Sequence, residues 1–168
     1  MKDLVVYFSR GDEEYNVGTV NPGNTELLAK EIIKQTGADE FKIVPVEKYP
    51  EDYQACVDLA TQEKTNDARP AYQGDIDLAD YDRVFLGYPI WWSDLPMIVY
   101  SFLDNHDFTG KTVVPFNTHE GSGNASTYQN LKAYLETAIL KGDGFNLPGH
   151  EARTPQGIAK LNDWLKTL

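Results

Sequence analysis

A chain of 168 residues with 41% hydrophobic and 24% charged residues has the size and composition of one globular domain, 1–168, with a substantial core. Its formal net charge of −11 would repel a nucleic-acid backbone, so we expect no nucleic-acid partner. No apolar run approaches the roughly 18 residues of a membrane span, and no signal-peptide core follows Met1. These features, with Cys56 as the single cysteine, predict a cytoplasmic protein that does not enter a membrane.

Short apolar runs alternate with helical patterns along the whole chain. The runs typical of strands are residues 4–8, 40–46, 83–88, 111–117 and 144–147. The helical patterns cover residues 25–34, 49–65, 95–105, 126–140 and the chain from 154 onward. This alternation predicts a doubly wound α/β fold, with a five-stranded parallel sheet and helices on both faces. A ligand of such a sheet binds beyond the carboxyl ends of the strands, where residues 9–25, 89–94 and 118–123 fall.

The first of these loops, residues 9–25, combines Ser9 with Gly23, Asn24 and Thr25 between a strand and a helix. Helix capping and phosphate binding are equally good interpretations, because first-turn amides and hydroxyls satisfy either role and the helix dipole favours an anion. Residues 18–25 match the spacing of a nucleotide-binding P-loop, but Asn24 stands in place of its lysine. We therefore expect a single phosphate monoester, held by amides and by the hydroxyls of Ser9 and Thr25, and no nucleotide hydrolysis.

The other two loops favour a flat ligand. Trp91 and Trp92 lie in the second loop, and aromatic side chains at a sheet edge stack on flat rings, although an indole can instead pack on a neighbouring helix. The third loop, residues 118–123, is rich in glycine and hydroxyl groups, which lets its backbone approach a ligand closely. Together the three loops predict a ligand with a ring system on a phosphorylated tail.

Several segments resemble the flavodoxin family, and the resemblance spans the whole chain. They are Tyr7-Phe8-Ser9-Arg10, Gly23-Asn24-Thr25-Glu26, Gly87-Tyr88-Pro89-Ile90-Trp91-Trp92 and the third loop. The resemblance implies the strand order 2-1-3-4-5 and a noncovalently bound FMN. Its phosphate would lie on the first loop, its isoalloxazine would stack on one indole, and the third loop would close the other side. The residues that would bind FMN by this match are Ser9, Arg10, Asn24, Thr25, Pro89, Ile90, Trp91, Trp92, Thr118, Glu120, Gly121 and Gly123.

The chain departs from the usual flavodoxin pattern in two places. Residues 11–22 are inserted between the serine and the Gly-Asn-Thr segment. This insertion either folds over the flavin, with Tyr15 as a second stacking side chain, or is a surface excursion. The third loop lacks the tyrosine with which many flavodoxins cover the second face of the ring, and His119 either covers that face or points to solvent.

The resemblance implies a redox function, for which two roles are open. One is an electron carrier that docks redox partner proteins on an acidic face. Residues 51–107 contain twelve acidic side chains against Lys64, Arg69 and Arg83, although a solubilising surface is the plainer interpretation. The other role is an FMN-dependent NAD(P)H:quinone-type oxidoreductase. The chain has no convincing dinucleotide motif and few basic residues near the loops, which favours the carrier.

Other classes fit less well. A phosphorelay receiver domain shares the strand order, but it needs acidic residues after the first strand and an aspartate after the third, where Ser9, Arg10 and Pro89 stand. A serine hydrolase using Ser122, Asp143 and His150 has the right residue order, but Glu120 replaces a small residue that the nucleophile turn requires. The three histidines lack metal-ligand spacing, so no metal site is expected.

Overall fold

The computed structural model describes residues 2–14, 18–142 and 144–168. The strands are β1 (Asp3–Tyr7), β2 (Asp12–Glu14), β3 (Gly18–Val20), β4 (Asp39–Lys42), β5 (Arg83–Pro89), β6 (Thr112–His119), β7 (Ile139–Leu140) and β8 (Phe145–Pro148). The helices are α1 (Asn24–Thr36), α2 (Tyr53–Thr65), α3 (Met97–Asp104), α4 (Thr127–Tyr134) and α5 (Pro155–Leu165), with a short 3-10 helix at Gly149–Arg153. None of the helices within these ranges is long and apolar enough to cross a membrane.

The main sheet is parallel and confirms the predicted strand order. Its order is β4-β1-β5-β6-β7, and β8 also pairs with β6. β7 pairs with the beginning of β6 and β8 with its end, so the two short strands share the fifth position. Counted by position along the chain, with the separate β2–β3 hairpin left out, the order is 2-1-3-4-5. The carboxyl ends of β1, β5 and β6 therefore lie side by side, and the three predicted loops follow them directly.

The strands are buried on both faces, as their almost continuous apolar sequences predict. Leu4 and Val6 of β1 point into one core with residues of α2, α3 and α4. Val5 and Tyr7 point into a second core with residues of α1 and α5. This alternation places helices on both faces, which is the doubly wound arrangement. Cys56 belongs to the first core and is 5% exposed.

Two segments end earlier than the sequence predicts. The helix predicted for residues 126–140 ends at Tyr134, because the chain turns back to the sheet, where Ile139 N donates to Lys111 O at 2.8 Å. The strand predicted for residues 40–46 ends at Lys42. Pro45 has no amide proton to continue the ladder, and Val46 N instead donates to Ala71 O at 3.0 Å. The 11–22 insertion forms the β2–β3 hairpin, and β2 lies against α2.

Candidate functional site

A cavity of about 330 Å³ lies at the carboxyl edge of the sheet and is bordered by all three predicted loops. Nine of the predicted site residues line it: Arg10, Asn24, Pro89, Ile90, Trp91, Trp92, Thr118, His119 and Glu120. Ser9, Thr25, Gly121 and Gly123 belong to the same loops but do not line the cavity. Tyr15 lies outside the described residues, as does Asp143 of the hydrolase alternative. The cavity therefore gathers most of the side chains that the sequence pattern selects.

One wall of the cavity was not predicted from the sequence. It is formed by Tyr53, Cys56, Val57 and Ala60 of α2. These residues recur at the helical spacing of an ordinary core-facing stripe, and nothing in that pattern distinguishes a cavity wall from a packed core. Gly149, the first residue of the 3-10 helix, also lines the cavity and lies beside Asn24 and Glu120.

The N-terminus of α1 borders the cavity with unused amides. Gly23 is the N-cap and supplies no side chain. Ser9 Oγ accepts a hydrogen bond from Glu26 N at 3.0 Å, whereas the amides of Asn24 and Thr25 have no acceptor within the described part of the chain. A Cβ atom on Gly23 would lie 2.3 Å from Arg10 O and 2.5 Å from Ser9 Oγ, so only glycine permits this close approach. The helix end thus retains amide N–H groups that can donate hydrogen bonds to an anion.

Two polar side chains connect this helix end to its neighbours. Thr25 Oγ1 lies 2.8 Å from Thr118 Oγ1, and both residues are buried, so the hydroxyl pair joins the first loop to the third. Asn24 Oδ1 is buried without a hydrogen-bond partner among the described residues. Its amide nitrogen would lie 2.3 Å from a Cβ atom on Gly149, so the glycine makes room for the asparagine. An unpaired buried acceptor beside a cavity is typical of a binding site whose ligand supplies the missing donor.

Arg10 is held in place by backbone carbonyls. Its side chain is buried, and Nη2 donates to Pro50 O at 2.7 Å and to Glu51 O at 2.9 Å. These bonds join the first loop to the segment that precedes α2. The flavodoxin resemblance implies that Arg10 lies beside the phosphate, and in the structure Arg10 also holds the segment that leads into the α2 wall.

The two tryptophans of the second loop have different environments. Trp91 packs edge-on against Phe8 and Tyr49, with ring centroids 5.3 and 5.1 Å away. Tyr49 is fixed by a 2.7 Å hydrogen bond from its hydroxyl to Glu63 Oε1, and burial raises the pKa of both groups. Trp92 is 54% exposed at the edge of the cavity. Of the two sequence-based interpretations of these indoles, packing therefore applies to Trp91, and Trp92 remains open to a ligand.

The third loop is anchored through its own side chains. His119 Nδ1 accepts from Gly121 N at 3.0 Å, and Nε2 lies 3.0 Å from Asn146 Oδ1, so Nε2 carries the proton of the neutral ring. Glu120 accepts from the backbone amide of His150 at 3.0 Å, and its other oxygen lies 3.1 Å from His150 Nδ1. Gly121 has φ 117°, a conformation that side chains disfavour. These contacts hold the loop against β8 and the 3-10 helix.

The described residues give no support to the hydrolase alternative. Ser122 Oγ donates to Gly123 O at 3.3 Å, and His150 pairs with Glu120 instead of with the serine. Within the described ranges no three histidine, cysteine or acidic side chains are grouped as metal ligands.

The comparison with protein families identifies the family of the chain. The family model described as flavodoxin matches residues 2–167. The chain belongs to the flavodoxin family. A curated flavodoxin from Nostoc sp. strain PCC 7120 is 36% identical over 76 residues, which cover 40% of this chain and 42% of the Nostoc protein. The sequence match to that relative thus covers less than half of either protein, whereas the family model spans almost the whole of this flavodoxin.

Solved structures show the same fold. A Bacteroides eggerthii protein classed as a flavoprotein superposes with a TM-score of 0.77 and 29% identity, over 99% of this chain and 96% of that one. A flavoprotein from Lactobacillus acidophilus NCFM, solved in complex with FMN, gives a TM-score of 0.67 at 20% identity, over 89% and 95% of the two chains. The latter likeness establishes the shared fold of this flavodoxin.

Proposed function

We propose that this flavodoxin binds FMN in the cavity and carries electrons between redox partner proteins. One observation carries the proposal: a single cavity joins unused helix amides, an exposed indole and a glycine-containing loop. These features match the three chemical parts of FMN, which are its phosphate, its flat ring and the polar ring edge. FMN is the cofactor of the family, and when bound it supplies the redox chemistry that no protein side chain provides.

The residues of the cavity divide between the two ends of this ligand. The amides of Asn24 and Thr25 and the hydroxyl of Ser9 would hold the phosphate without a lysine. The unpaired Asn24 Oδ1 suits a hydroxyl donor of the ligand. Trp92 would stack on the ring, and the backbone of the third loop would close its other side. The Trp91 indole would support this arrangement from the core.

The surface around the cavity favours a protein partner with a basic face. Asp52, the N-cap of α2, and Asp58 within α2 are exposed, and neither has a cationic partner within the described residues. The net charge of −11 acts in the same direction. Such a surface increases the rate of association with basic proteins and makes it depend on salt. This is the expected behaviour of a carrier, whereas a reductase needs a site for NAD(P)H.

The experiment that tests the proposal begins with the visible absorbance of the purified protein and its titration with FMN. Binding of FMN with a changed flavin spectrum supports the cofactor assignment, and no binding refutes it. NADH and NADPH are then added to the FMN-loaded protein without oxygen. Bleaching that requires a separate reductase supports the carrier. Rapid bleaching by either nucleotide alone would assign the protein to the oxidoreductases instead.

A further inference from the structure

A buried carboxylate, that of Asp94, lies two residues after Trp92 in the chain. Residues 91–94, which we call the tryptophan turn, end at Asp94, whose side chain is almost completely buried. Asp94 Oδ1 accepts three hydrogen bonds, from Leu95 N at 2.7 Å, Tyr100 Oη at 2.7 Å and Asn130 Nδ2 at 2.9 Å. Asp94 Oδ2 accepts from Lys64 Nζ at 3.0 Å. A single side chain therefore connects the turn to α2, α3 and α4.

The turn that this carboxylate supports has an unfavourable backbone conformation. Trp92 and Ser93 have φ values of 55° and 61°, in the left-handed region that residues with a side chain rarely adopt. Reciprocal backbone hydrogen bonds close the turn, from Trp91 N to Asp94 O at 2.9 Å and from Asp94 N to Trp91 O at 3.2 Å. Such a conformation persists only where surrounding contacts hold it, and it is concentrated at functional sites.

A charged carboxylate suits this position better than any neutral side chain. All four partners of Asp94 are donors, and only a group that accepts at both oxygens satisfies them. An asparagine could keep the three bonds at Oδ1, but its NH₂ group would face the ammonium of Lys64. The position thus needs a side chain with two hydrogen-bond-accepting oxygens. Neither Asp94 nor its partners Lys64, Tyr100 and Asn130 line the cavity, so these residues can act on a ligand only through the turn.

We propose that Asp94 is a positioning residue which, with Lys64, Tyr100 and Asn130, holds the tryptophan turn so that Trp92 is presented to the ligand ring. The effect on flavin binding rests on the proposed function, whereas the effect on the turn itself does not. Because the turn would contact only the ring end of the ligand, the substitution of Asp94 should weaken FMN and riboflavin equally. The phosphate end, at α1, should be unaffected.

The test uses the full chain with Asp94→Ala and Asp94→Asn. Asp104→Asn is a matched control, because Asp104, the last residue of α3, likewise pairs with a tyrosine and a cation, Tyr134 and Arg69. Dissociation constants for FMN and for riboflavin are measured by flavin fluorescence, and the circular dichroism of the bound flavin reports the ring environment. Hydrogen exchange of the Trp91 and Asp94 amides, without flavin, reports the turn. Thermal unfolding confirms that each variant is folded.

We expect Asp94→Ala to weaken both ligands about tenfold, as the strained turn leaves its binding conformation, and to change the flavin dichroism. Asp94→Asn should have a smaller effect in the same direction and remains informative if the alanine variant does not fold. Exchange of the two turn amides should become about tenfold faster, and Asp104→Asn should change none of these values.

Several results would overturn the proposal. Unchanged affinity and dichroism in a folded Asp94→Ala variant would do so, and so would a loss confined to FMN. An equal loss in Asp104→Asn would show that general stability, not the turn, determines binding. If the wild-type protein binds no flavin, the proposed function fails, and the exchange measurement alone then decides: unchanged exchange in the variants refutes the positioning role.

Discussion

The unequal environments of the two neighbouring tryptophans predict opposite effects of their removal. Trp92 is 54% exposed, so Trp92→Ala should leave the free energy of unfolding within about 0.5 kcal/mol of the wild-type value. It should remove the stacking surface and weaken FMN by about 1–3 kcal/mol, or roughly 5- to 150-fold in Kd. Trp91 instead packs on Phe8 and Tyr49. Trp91→Ala should therefore lower the free energy of unfolding by about 2–3 kcal/mol, the low end for a partly buried tryptophan.

The two effects are separated by a flavin titration and a urea unfolding curve on each variant. Trp92→Phe serves as the control, because it keeps an aromatic face at the same position and should recover most of the affinity. If Trp92→Ala bound FMN normally while Trp91→Ala lost affinity without losing stability, the assignment of stacking to the exposed indole would be wrong.

Three further predictions follow from the α1 end and from Asp94. Ser9→Ala should weaken FMN about 3- to 10-fold and leave riboflavin unchanged, since only FMN has the phosphate; equal losses would contradict the phosphate assignment. Gly23→Ala should lower the free energy of unfolding by about 1–3 kcal/mol in urea, because its Cβ would lie 2.3 Å from Arg10 O; an unchanged midpoint would contradict this close approach. Burial would raise the pKa of Asp94, but hydrogen bonds from Tyr100, Asn130 and Lys64 outweigh it and lower that pKa. Its stabilisation is therefore complete above the unfolded value of about 3.9 and is lost as the pH falls through the folded pKa. Wild-type protein should accordingly lose more unfolding free energy between about pH 5 and pH 2 than Asp94→Asn, and parallel losses would exclude Asp94 as a source of acid sensitivity.

The parts of the fold that sequence reasoning predicts are those where local pattern and tertiary context agree. The runs that became β1, β5 and β6 are apolar enough to be buried on both faces, so their order and the position of their loops follow from alternation with helices. The fifth strand shows the opposite case. Ile139 and Leu140 continue a helical pattern in the sequence. In the structure they instead pair with the edge of β6 and form β7, and this pairing depends on residues far away in the sequence.

The candidate site was predictable in its loops but not in its geometry. Asn24, Trp91 and Trp92, which the sequence pattern names, line the cavity. The β2–β3 pair was not predicted because Asp12-Glu13-Glu14 has low strand propensity. Its strand conformation depends on hydrogen bonds to residues 18–20, which the local sequence does not indicate. The left-handed turn at Trp92 and Ser93 was not predicted either, because neither of these residues is the glycine that normally marks positive φ.

Three departures from ordinary local structure lie at the cavity, although positive φ values and unpaired buried oxygens also occur elsewhere, for example at Asp67 and Asn162. Both cores pack apolar side chains against the sheet as their sequences require. At the cavity, by contrast, Trp92 adopts a strained backbone, the first-turn amides of α1 lack acceptors, and Asn24 Oδ1 is buried without a partner in the described structure. A strained backbone and an unpaired buried oxygen each lower stability, and free first-turn amides leave donors available to a ligand. A ligand with a ring and an anionic tail would compensate for all three at once, so the binding of FMN should raise the melting temperature more than the binding of riboflavin does.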